Sequence, residues 1–299
     1  MEMNIVQLFE KFHSEDRCRE LLELLRWPAG VCCLRCGNVS VSKLENRHQY
    51  ECNGCRYQFS VTAGSVFHDS HLPLWVWFLA TYLICEGKKG ISALQLKRTI
   101  WGEHKGSYKT AWYLCHRIRE AMKCDTPAKL TGIVEADETF IGGRYDKRRK
   151  RAAYDKTCVV GVIQRGGEVR AQKIQSRGAR AIATYVRASV EPGSQLMTDE
   201  YAGYKAVGKE YEHSTVTHSK LEYVVGLTHT NSIENFWSLF KRGLVGSFHR
   251  VSDKHLDRYL DEFTYRFSNR ADGQLFQNTL RNLVNGKTLT FEELTKDVA

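Results

Sequence analysis

The segment Gly132-Ile-Val-Glu-Ala-Asp-Glu-Thr-Phe-Ile141 decides the fold of the second half of this chain, because it is typical of a β-strand and ends at Gly142-Gly143. Two more strands are predicted over residues 157–164 and 168–174, and the Gly166-Gly167 pair between them indicates a hairpin. A helix over 179–190 and a short buried strand over 195–199 follow. The sequence therefore predicts three strands, a helix and a fourth strand in succession.

The remaining elements complete an α/β pattern. A short helix is predicted over 201–208, a strand over 213–217, and two amphipathic helices over 231–242 and 253–267. This order resembles the ribonuclease H-like fold, in which helices flank a mixed sheet. Sheets of this kind carry their functional groups at strand ends.

Three acids occupy positions suited to a shared metal site. Asp137 lies on the first strand, Asp199 ends the fourth strand, and Glu234 lies in the first turn of a helix. Carboxylate oxygens suit Mg²⁺ or Mn²⁺, and two such ions can activate an attacking hydroxyl and stabilise the leaving oxygen on phosphorus. We therefore predict a site that binds Mg²⁺ or Mn²⁺ at Asp137, Asp199 and Glu234.

Each acid also has a purely structural interpretation. Asp137 could pair with a nearby arginine, and Asp199 could cap the helix that starts at Tyr201. Glu234 lies three residues after Asn231 and could be its capping-box partner. Taken singly, the sequence leaves these alternatives open.

Four of the ten cysteines form two CxxC pairs, Cys33-Leu-Arg-Cys36 and Cys52-Asn-Gly-Cys55, which are separated by 15 residues. Two such pairs supply four thiolates for a tetrahedral zinc site. A closed shell of four protein ligands makes this zinc structural rather than catalytic. We expect strands between the two pairs, and hence a zinc ribbon, whereas Cys32 is adjacent to the first pair and could only mimic a ligand.

Helices are predicted around this ribbon. Two short ones precede it within residues 5–26, and a buried one follows over 73–86. Helices over 92–100 and 108–122 then resemble a helix-turn-helix with a long turn, whose second helix would enter the major groove. We expect its polar face to contact DNA through Lys109, Thr110, Tyr113, His116 and Arg117. The alternative is a helical hairpin with a solvated basic face.

Charge favours a polyanionic partner. The chain has 44 Lys and Arg against 34 Asp and Glu, a formal net charge of +10. Residues 88–123 contain nine basic residues against two acids, and residues 144–156 contain seven against two. We expect the run 144–151 to be a mobile loop that contacts DNA through Arg148, Arg149 and Lys150, although such runs are often simply solvated.

The apolar segments exclude a membrane-spanning protein. The longest apolar run, residues 72–85, has 14 residues, and a bilayer span needs about 20. The N-terminal residues lack the basic and then apolar pattern of a signal peptide. We therefore expect a cytoplasmic protein that associates with the nucleoid when it binds DNA.

Three blocks resemble the catalytic blocks of bacterial insertion-sequence transposases, in the group related to Merlin elements. They are Ile133-Val-Glu-Ala-Asp-Glu-Thr-Phe-Ile-Gly-Gly143, Thr198-Asp-Glu-Tyr-Ala-Gly-Tyr204 and His229-Thr-Asn-Ser-Ile-Glu-Asn-Phe-Trp-Ser-Leu-Phe-Lys-Arg242. The zinc ribbon and helix-turn-helix before them fit the same group, and the resemblance extends from about Phe9 to Asn269.

The resemblance implies a DDE transposase that cuts DNA at the ends of an insertion sequence and joins the 3′ hydroxyl to target DNA. Its triad corresponds to Asp137, Asp199 and Glu234. Some related groups use Asn as the third residue, so Asn231 and Asn235 are alternatives to Glu234. The resemblance also implies double-stranded DNA as the partner and a homodimer or higher assembly on it.

Helix geometry adds Lys241 as a candidate. At 100° per residue, the seven steps from Glu234 to Lys241 bring the two side chains within about 20° of one helix face. Ser238 lies between them, and Ile233, Phe236, Trp237 and Phe240 form the opposite apolar stripe. We predict that Lys241 contacts a DNA phosphate near the scissile bond, whereas the alternative is a solvated surface lysine.

We therefore predict N-terminal helices and a zinc ribbon over residues 1–62, a helical DNA-binding region over 63–126, and the catalytic domain with C-terminal helices over 127–299. Two rival functions remain open. One is a domesticated, non-catalytic DNA-binding regulator, and the other is a nuclease or resolvase of the same fold, which would cut but not join strands.

Overall fold

The computed structural model describes residues 3–123, 128–142, 156–207, 209–217, 224 and 228–296. The chain forms two compact units, one of Met1–Met122 with Asp272–Ala299 and the other of Lys123–Ala271. This division differs from the predicted one in two ways. The ribbon and the helices after it form one unit, and the last 28 residues return to that unit, because the helix that begins at Leu275 packs against the N-terminal helices.

The first unit combines helices with a small three-stranded sheet. Its helices are α1 (Ile5–Lys11), α2 (Glu15–Arg26), α3 (Leu74–Glu86), α4 (Ala93–Trp101), α5 (Tyr108–Glu120), α9 (Leu275–Asn285) and α10 (Phe291–Thr295). Its strands are β1 (Val41–Leu44), β2 (Gln49–Cys52) and β3 (Gln58–Phe59), which pair antiparallel in that order. The predicted strands between the CxxC pairs are confirmed.

Helix α3 lies at the centre of this unit, because its side chains are apolar on every face. Trp77, Phe78 and Ile84 are almost completely buried. Pro73 immediately precedes the helix, and the Glu15 carboxylate accepts hydrogen bonds from the Leu74 and Trp75 amides at 3.0 and 3.3 Å. These bonds satisfy donors that the first turn of a helix cannot pair internally.

The second unit is a five-stranded mixed sheet with helices on both faces. Its strands are β4 (Ile133–Ile141), β5 (Thr157–Gln164), β6 (Val169–Ile174), β7 (Gln195–Thr198) and β8 (Glu212–Thr215), in the order β6-β5-β4-β7-β8. The first three strands pair antiparallel, and β7 and β8 run parallel to β4. The predicted ribonuclease H-like arrangement of a mixed sheet flanked by helices is thus confirmed.

Helices α6 (Ala179–Ser189), α7 (Asn231–Gly243) and α8 (Leu256–Ser268) cover this sheet. Alternate residues of β4 face opposite sides, as strand geometry requires. Val134 and Ala136 pack in the core beneath α6, whereas Ile141 packs in the core beneath α7 and α8. The predicted helix over 201–208 is a shorter 3₁₀ helix, Ala202–Ala206.

None of the helices in the described parts of the chain combines the length and the apolar composition needed to cross a membrane.

Candidate active site and metal centre

The four predicted zinc ligands lie together at the ribbon. The Sγ atoms of Cys33, Cys36, Cys52 and Cys55 all lie within 4.8 Å of one another. The Cys33–Cys55 and Cys36–Cys52 sulfur pairs are each 3.6 Å apart. A tetrahedron with Zn–S bonds of about 2.3 Å has edges of about 3.8 Å, so the four sulfurs fit one zinc ion.

Local backbone geometry explains why these thiols converge. Gly37 follows the first pair in the left-handed region, with a φ of +72°. In the second pair, a Cβ atom at Gly54 would lie only 2.6 Å from the side-chain nitrogen of Asn38, so a larger residue here would displace that side chain. The amides of Arg35 and Cys55 donate to Cys33 Sγ and Cys52 Sγ at 3.4 Å. Cys32 does not belong to the cluster.

Asp137 occupies the middle of β4 on the face covered by α7. Its register partner on β5 is Gly161. A Cβ atom at Gly161 would come within 2.6 Å of the Trp237 ring and 3.1 Å of Ile233. The absence of a side chain at Gly161 therefore lets α7 approach the sheet beside Asp137.

Asp199 follows the last residue of β7. The last parallel pair between β4 and β7 is Glu135 with Met197, and Asp137 and Asp199 each lie two residues beyond it. Asp199 Oδ1 also accepts a hydrogen bond from the Tyr201 amide at 3.0 Å. The capping alternative is thus partly correct, because Asp199 caps the turn before the 3₁₀ helix, and this contact orients the carboxylate.

Glu234 lies in the first turn of α7 and is exposed. Its Oε1 accepts a hydrogen bond from Thr230 Oγ1 at 2.6 Å. The proposed capping box with Asn231 is not formed, because Thr230 is the N-cap residue. Asn231 and Asn235, the alternatives for the third residue, are also exposed.

Burial and nearby acids raise the pKa of Asp137. Burial is the largest cause, the negative charges of Glu138, Asp199 and Glu234 add to it, and together they raise the pKa to about 7. All three candidate carboxylates therefore share one electrostatic environment. Among the described residues, however, only the four cysteines have ligand atoms that all lie within 4.8 Å, so the carboxylates are less tightly grouped.

A second network lies on the other face of β4. Glu138 has an almost completely buried side chain, and it accepts hydrogen bonds from Arg177 Nε at 2.7 Å and from the Tyr204 hydroxyl at 2.9 Å. The Arg177 guanidinium also lies 3.6 Å from the centroid of the Tyr201 ring. This network joins β4 to the segment that carries Asp199.

Sequence reasoning missed Glu138, Arg177 and Gly161. It also missed Glu135, a completely buried acid on the same face of β4 as Asp137. The alternation Glu135-x-Asp137 within a predicted strand was a usable signal for that residue. No local signal pointed to Arg177, which approaches Glu138 from a loop 39 residues later.

Lys241 lies as predicted on the exposed face of α7 that also carries Glu234 and Ser238. The opposite stripe of Ile233, Phe236, Trp237 and Phe240 is buried against the sheet and α8. The predicted orientation of this helix is confirmed, whereas the contact between Lys241 and phosphate stays a prediction.

The prediction that α5 presents an exposed basic face is wrong in part. His116 and Arg117 are buried, and Arg117 Nη2 donates to the His68 carbonyl at 2.6 Å and to the Val66 carbonyl. The C-terminal segment covers the same side of α5, because the half-buried Tyr113 donates to the Leu289 carbonyl at 2.5 Å.

Of the five residues predicted to contact DNA from α5, Lys109 is exposed and Thr110 is half-buried. The Lys109 ammonium lies 4.2 Å from the centroid of the Phe291 ring. Arg148, Arg149 and Lys150, the other predicted DNA contacts, lie outside the described residues.

Comparisons with known proteins agree with this architecture. Residues 13–58 match the transposase zinc-ribbon domain, and residues 129–268 match the ISXO2-like transposase domain. The chain is also 29% identical over 277 residues to a Halobacterium salinarum protein described as an uncharacterized protein in transposable element ISH50, with 85% of this chain and 91% of that relative aligned. Both domains match in sequence order and together cover more than half of the chain, so the chain is similar to insertion-sequence transposases that combine a zinc ribbon with an ISXO2-like domain.

Proposed function

We propose that this protein is a DDE transposase that cleaves double-stranded DNA at the ends of an insertion sequence and transfers the freed 3′ hydroxyl to target DNA. The observation that carries the proposal is the position of Asp137 on β4, beneath the helix whose first turn carries Glu234, in a region that matches the ISXO2-like transposase domain. Burial and the nearby acids raise the pKa of Asp137 to about 7, which agrees with this placement. Three neighbouring acids concentrate negative charge around Asp137, and burial removes the water that would screen it. A divalent cation offsets such charge.

The donors fit Mg²⁺ or Mn²⁺, because all three are carboxylates from separate elements. Asp137 and Asp199 would hold the ions and Glu234 would complete the ligand set. Bound ions of this kind activate an attacking hydroxyl and stabilise the leaving oxygen at phosphorus. The chain's own contribution is to fix the three carboxylates on a rigid sheet and a docked helix.

The basic residues would hold the DNA. Lys241 projects from the exposed face of α7 that carries Glu234, so we propose that it contacts a phosphate next to the scissile bond. The run 144–151 would add contacts from Arg148, Arg149 and Lys150. We further propose that the zinc ribbon, α4 and the exposed start of α5 bind the terminal repeats, and that a homodimer or higher assembly joins the two ends.

The test is cleavage of DNA that carries either boundary of the genomic element encoding this chain, in Mg²⁺ or Mn²⁺. Wild type should nick at the boundary and join the new 3′ end to a second duplex, whereas Asp137→Asn should bind DNA and not cut it. Asp253→Asn, an exposed acid of the same unit, is the matched control and should retain cleavage.

The rival functions give different results in this assay. Cleavage without joining would identify a nuclease or resolvase. Binding to the ends without metal-dependent cleavage would identify a regulator. Cleavage by Asp137→Asn at the wild-type rate would refute the catalytic assignment.

A further inference from the structure

Glu135 is a buried charge that the catalytic proposal does not use. It lies on β4 two residues before Asp137, and its side chain has no exposed surface. A carboxylate is tolerated in such a place only when charged or hydrogen-bonding partners satisfy it. The identity of those partners shows what this residue does.

The first group of partners is the start of α7. Glu135 Oε2 accepts hydrogen bonds from the Ser232 amide at 2.8 Å and the Ile233 amide at 3.1 Å, and Ser232 Oγ donates to Oε1 at 3.0 Å. The first amides of a helix lack internal acceptors, and the positive end of the helix dipole attracts an anion. Thr230, the N-cap residue, makes no capping bond to these amides. Glu135 therefore caps α7 from a neighbouring strand.

The second partner is Arg165, which follows β5. Its Nε donates to Glu135 Oε1 at 2.7 Å, and its Nη2 donates to the His229 carbonyl at 3.0 Å. The Arg165 amide also donates to the Ile133 carbonyl at 3.0 Å. Arg165 thus binds both the beginning of β4 and the residues that lead into α7.

These contacts join the two elements that carry Asp137 and Glu234. Glu234 directly follows Ile233, whose amide Glu135 binds, and Asp137 lies on the same face of β4 as Glu135. Any shift of α7 along or away from β4 would break charge-assisted hydrogen bonds in a buried site, which are among the strongest in proteins.

We propose that Glu135 is a positioning residue that holds the N-terminus of α7 on β4 and so sets the spacing between the Asp137 and Glu234 carboxylates. It does not touch the reacting DNA. Its effects on cleavage and on metal affinity rest on the proposed function, whereas its effect on the docking of α7 does not.

The experiment compares full-length, zinc-loaded wild type and Glu135→Gln. Mn²⁺ binding is titrated calorimetrically in the absence of DNA, and amide hydrogen exchange is followed over residues 229–240. The Gln side chain keeps the size of Glu but directs an amide NH₂ at a donor. We expect Mn²⁺ affinity to fall about 10–100-fold, as for other partners that orient metal ligands, and exchange at the start of α7 to accelerate.

Glu262→Gln is the matched control. Glu262 is as buried as Glu135 and accepts from Arg266 at 2.9 Å, but it lies on α8. Glu262→Gln should lower the free energy of unfolding by about as much as Glu135→Gln does, and should leave Mn²⁺ affinity within about twofold of wild type. Ser232→Ala removes the hydrogen bond from Ser232 Oγ to Glu135 without changing a buried charge. It should lower Mn²⁺ affinity by less than Glu135→Gln does. It replaces Glu135→Gln in the experiment if that variant does not fold.

The outcomes separate the two proposals. If Glu135→Gln binds Mn²⁺ more weakly than wild type, the positioning role is supported. If wild type nevertheless does not cut DNA, the transposase mechanism is contradicted while the positioning role stands. Unchanged Mn²⁺ affinity in folded Glu135→Gln and Ser232→Ala, or a loss equal to that in Glu262→Gln, would overturn the positioning role. Unchanged hydrogen exchange at residues 229–240 would overturn it as well.

Discussion

Gly161 of β5 lies directly beneath Trp237 of α7, so closely that a Cβ atom at Gly161 would meet the indole ring at 2.6 Å. Gly161 is also the register partner of Asp137. One glycine therefore determines how near α7, with Glu234 in its first turn, can approach the strand that carries Asp137. The packing of the core and the geometry of the site are set by the same contact.

Replacing this glycine should damage both stability and the site. We expect Gly161→Ala to lower the free energy of unfolding by about 1–3 kcal/mol, the usual cost of overpacking, and to weaken Mn²⁺ binding because α7 is pushed outward. Urea denaturation and Mn²⁺ titration measure the two effects. Gly246→Ala is the control, since a Cβ there meets nothing within 4 Å. Equal stability of the two variants would contradict the packing argument.

The charge at Asp137 should make the metal-free protein less stable as the pH rises. Its pKa is about 7 in the folded chain against an ordinary value of 3.8, so the folded state binds more protons than the unfolded chain between these values. The stabilising contribution of the protonated group is complete below about pH 4 and is lost as pH rises through about 7. Asp137→Asn cannot ionise and should melt higher than wild type at pH 8, by roughly 2–4 °C for each kcal/mol relieved.

The comparison is made by differential scanning calorimetry at about pH 5 and about pH 8 without divalent ions, and the advantage of Asp137→Asn should shrink at the lower pH. Asp253→Asn should behave oppositely, because hydrogen bonds from Thr157 and Lys173 lower the pKa of Asp253. Its Tm at the higher pH should be slightly below that of wild type. An Asp137→Asn variant that melts below wild type at the higher pH would argue against repulsion at this site.

The four-cysteine cluster should bind one structural zinc per chain. We expect Cys36→Ser to lose zinc and unfold the ribbon, whereas Cys32→Ser, at the neighbouring position outside the cluster, should keep it. Zinc content by mass spectrometry and protease sensitivity of residues 28–60 measure this. Full zinc content in Cys36→Ser, or its loss in Cys32→Ser, would show that the ligands are assigned incorrectly.

The Tyr204 hydroxyl should matter more to stability than that of Tyr201. Tyr204 donates to the buried Glu138 carboxylate at 2.9 Å, and Tyr201 donates to the neutral Arg177 carbonyl at 2.8 Å. Hydrogen bonds to charged groups contribute about 1.5–3 kcal/mol and neutral ones about 0.5–1.5. Urea unfolding of Tyr204→Phe and Tyr201→Phe should preserve that order, and the reverse order would contradict this comparison of the two acceptors.

The sequence predicted the elements of the second unit because local composition decides them. The strand over Thr157–Gln164 is a continuous apolar run rich in β-branched residues, and the helix over Asn231–Gly243 shows the expected apolar periodicity. The CxxC spacing predicts the zinc ligands. These features depend on neighbours within a few residues, which a single sequence displays directly.

Features that depend on distant segments were not predictable. Arg117 belongs to a polar helix face in the sequence, but it is buried, and its guanidinium donates to the Val66 carbonyl. Tyr113 of the same face donates to the Leu289 carbonyl. Likewise, α9 returns to the first unit, and Arg165 meets Glu135 across 30 residues. Such pairings follow from tertiary packing, which periodicity does not encode.

Asp137, Asp199 and Glu234 are proposed to bind divalent cations together, and every step of the proposed reaction depends on that site. The most direct measurement is an anomalous difference map from crystals of the full chain soaked in Mn²⁺. We predict peaks bound by oxygens of Asp137 and Asp199 at about 2.0–2.2 Å, with Glu234 completing one ion's ligands. Mn²⁺ bound elsewhere, with these three carboxylates contacting no ion, would contradict the account.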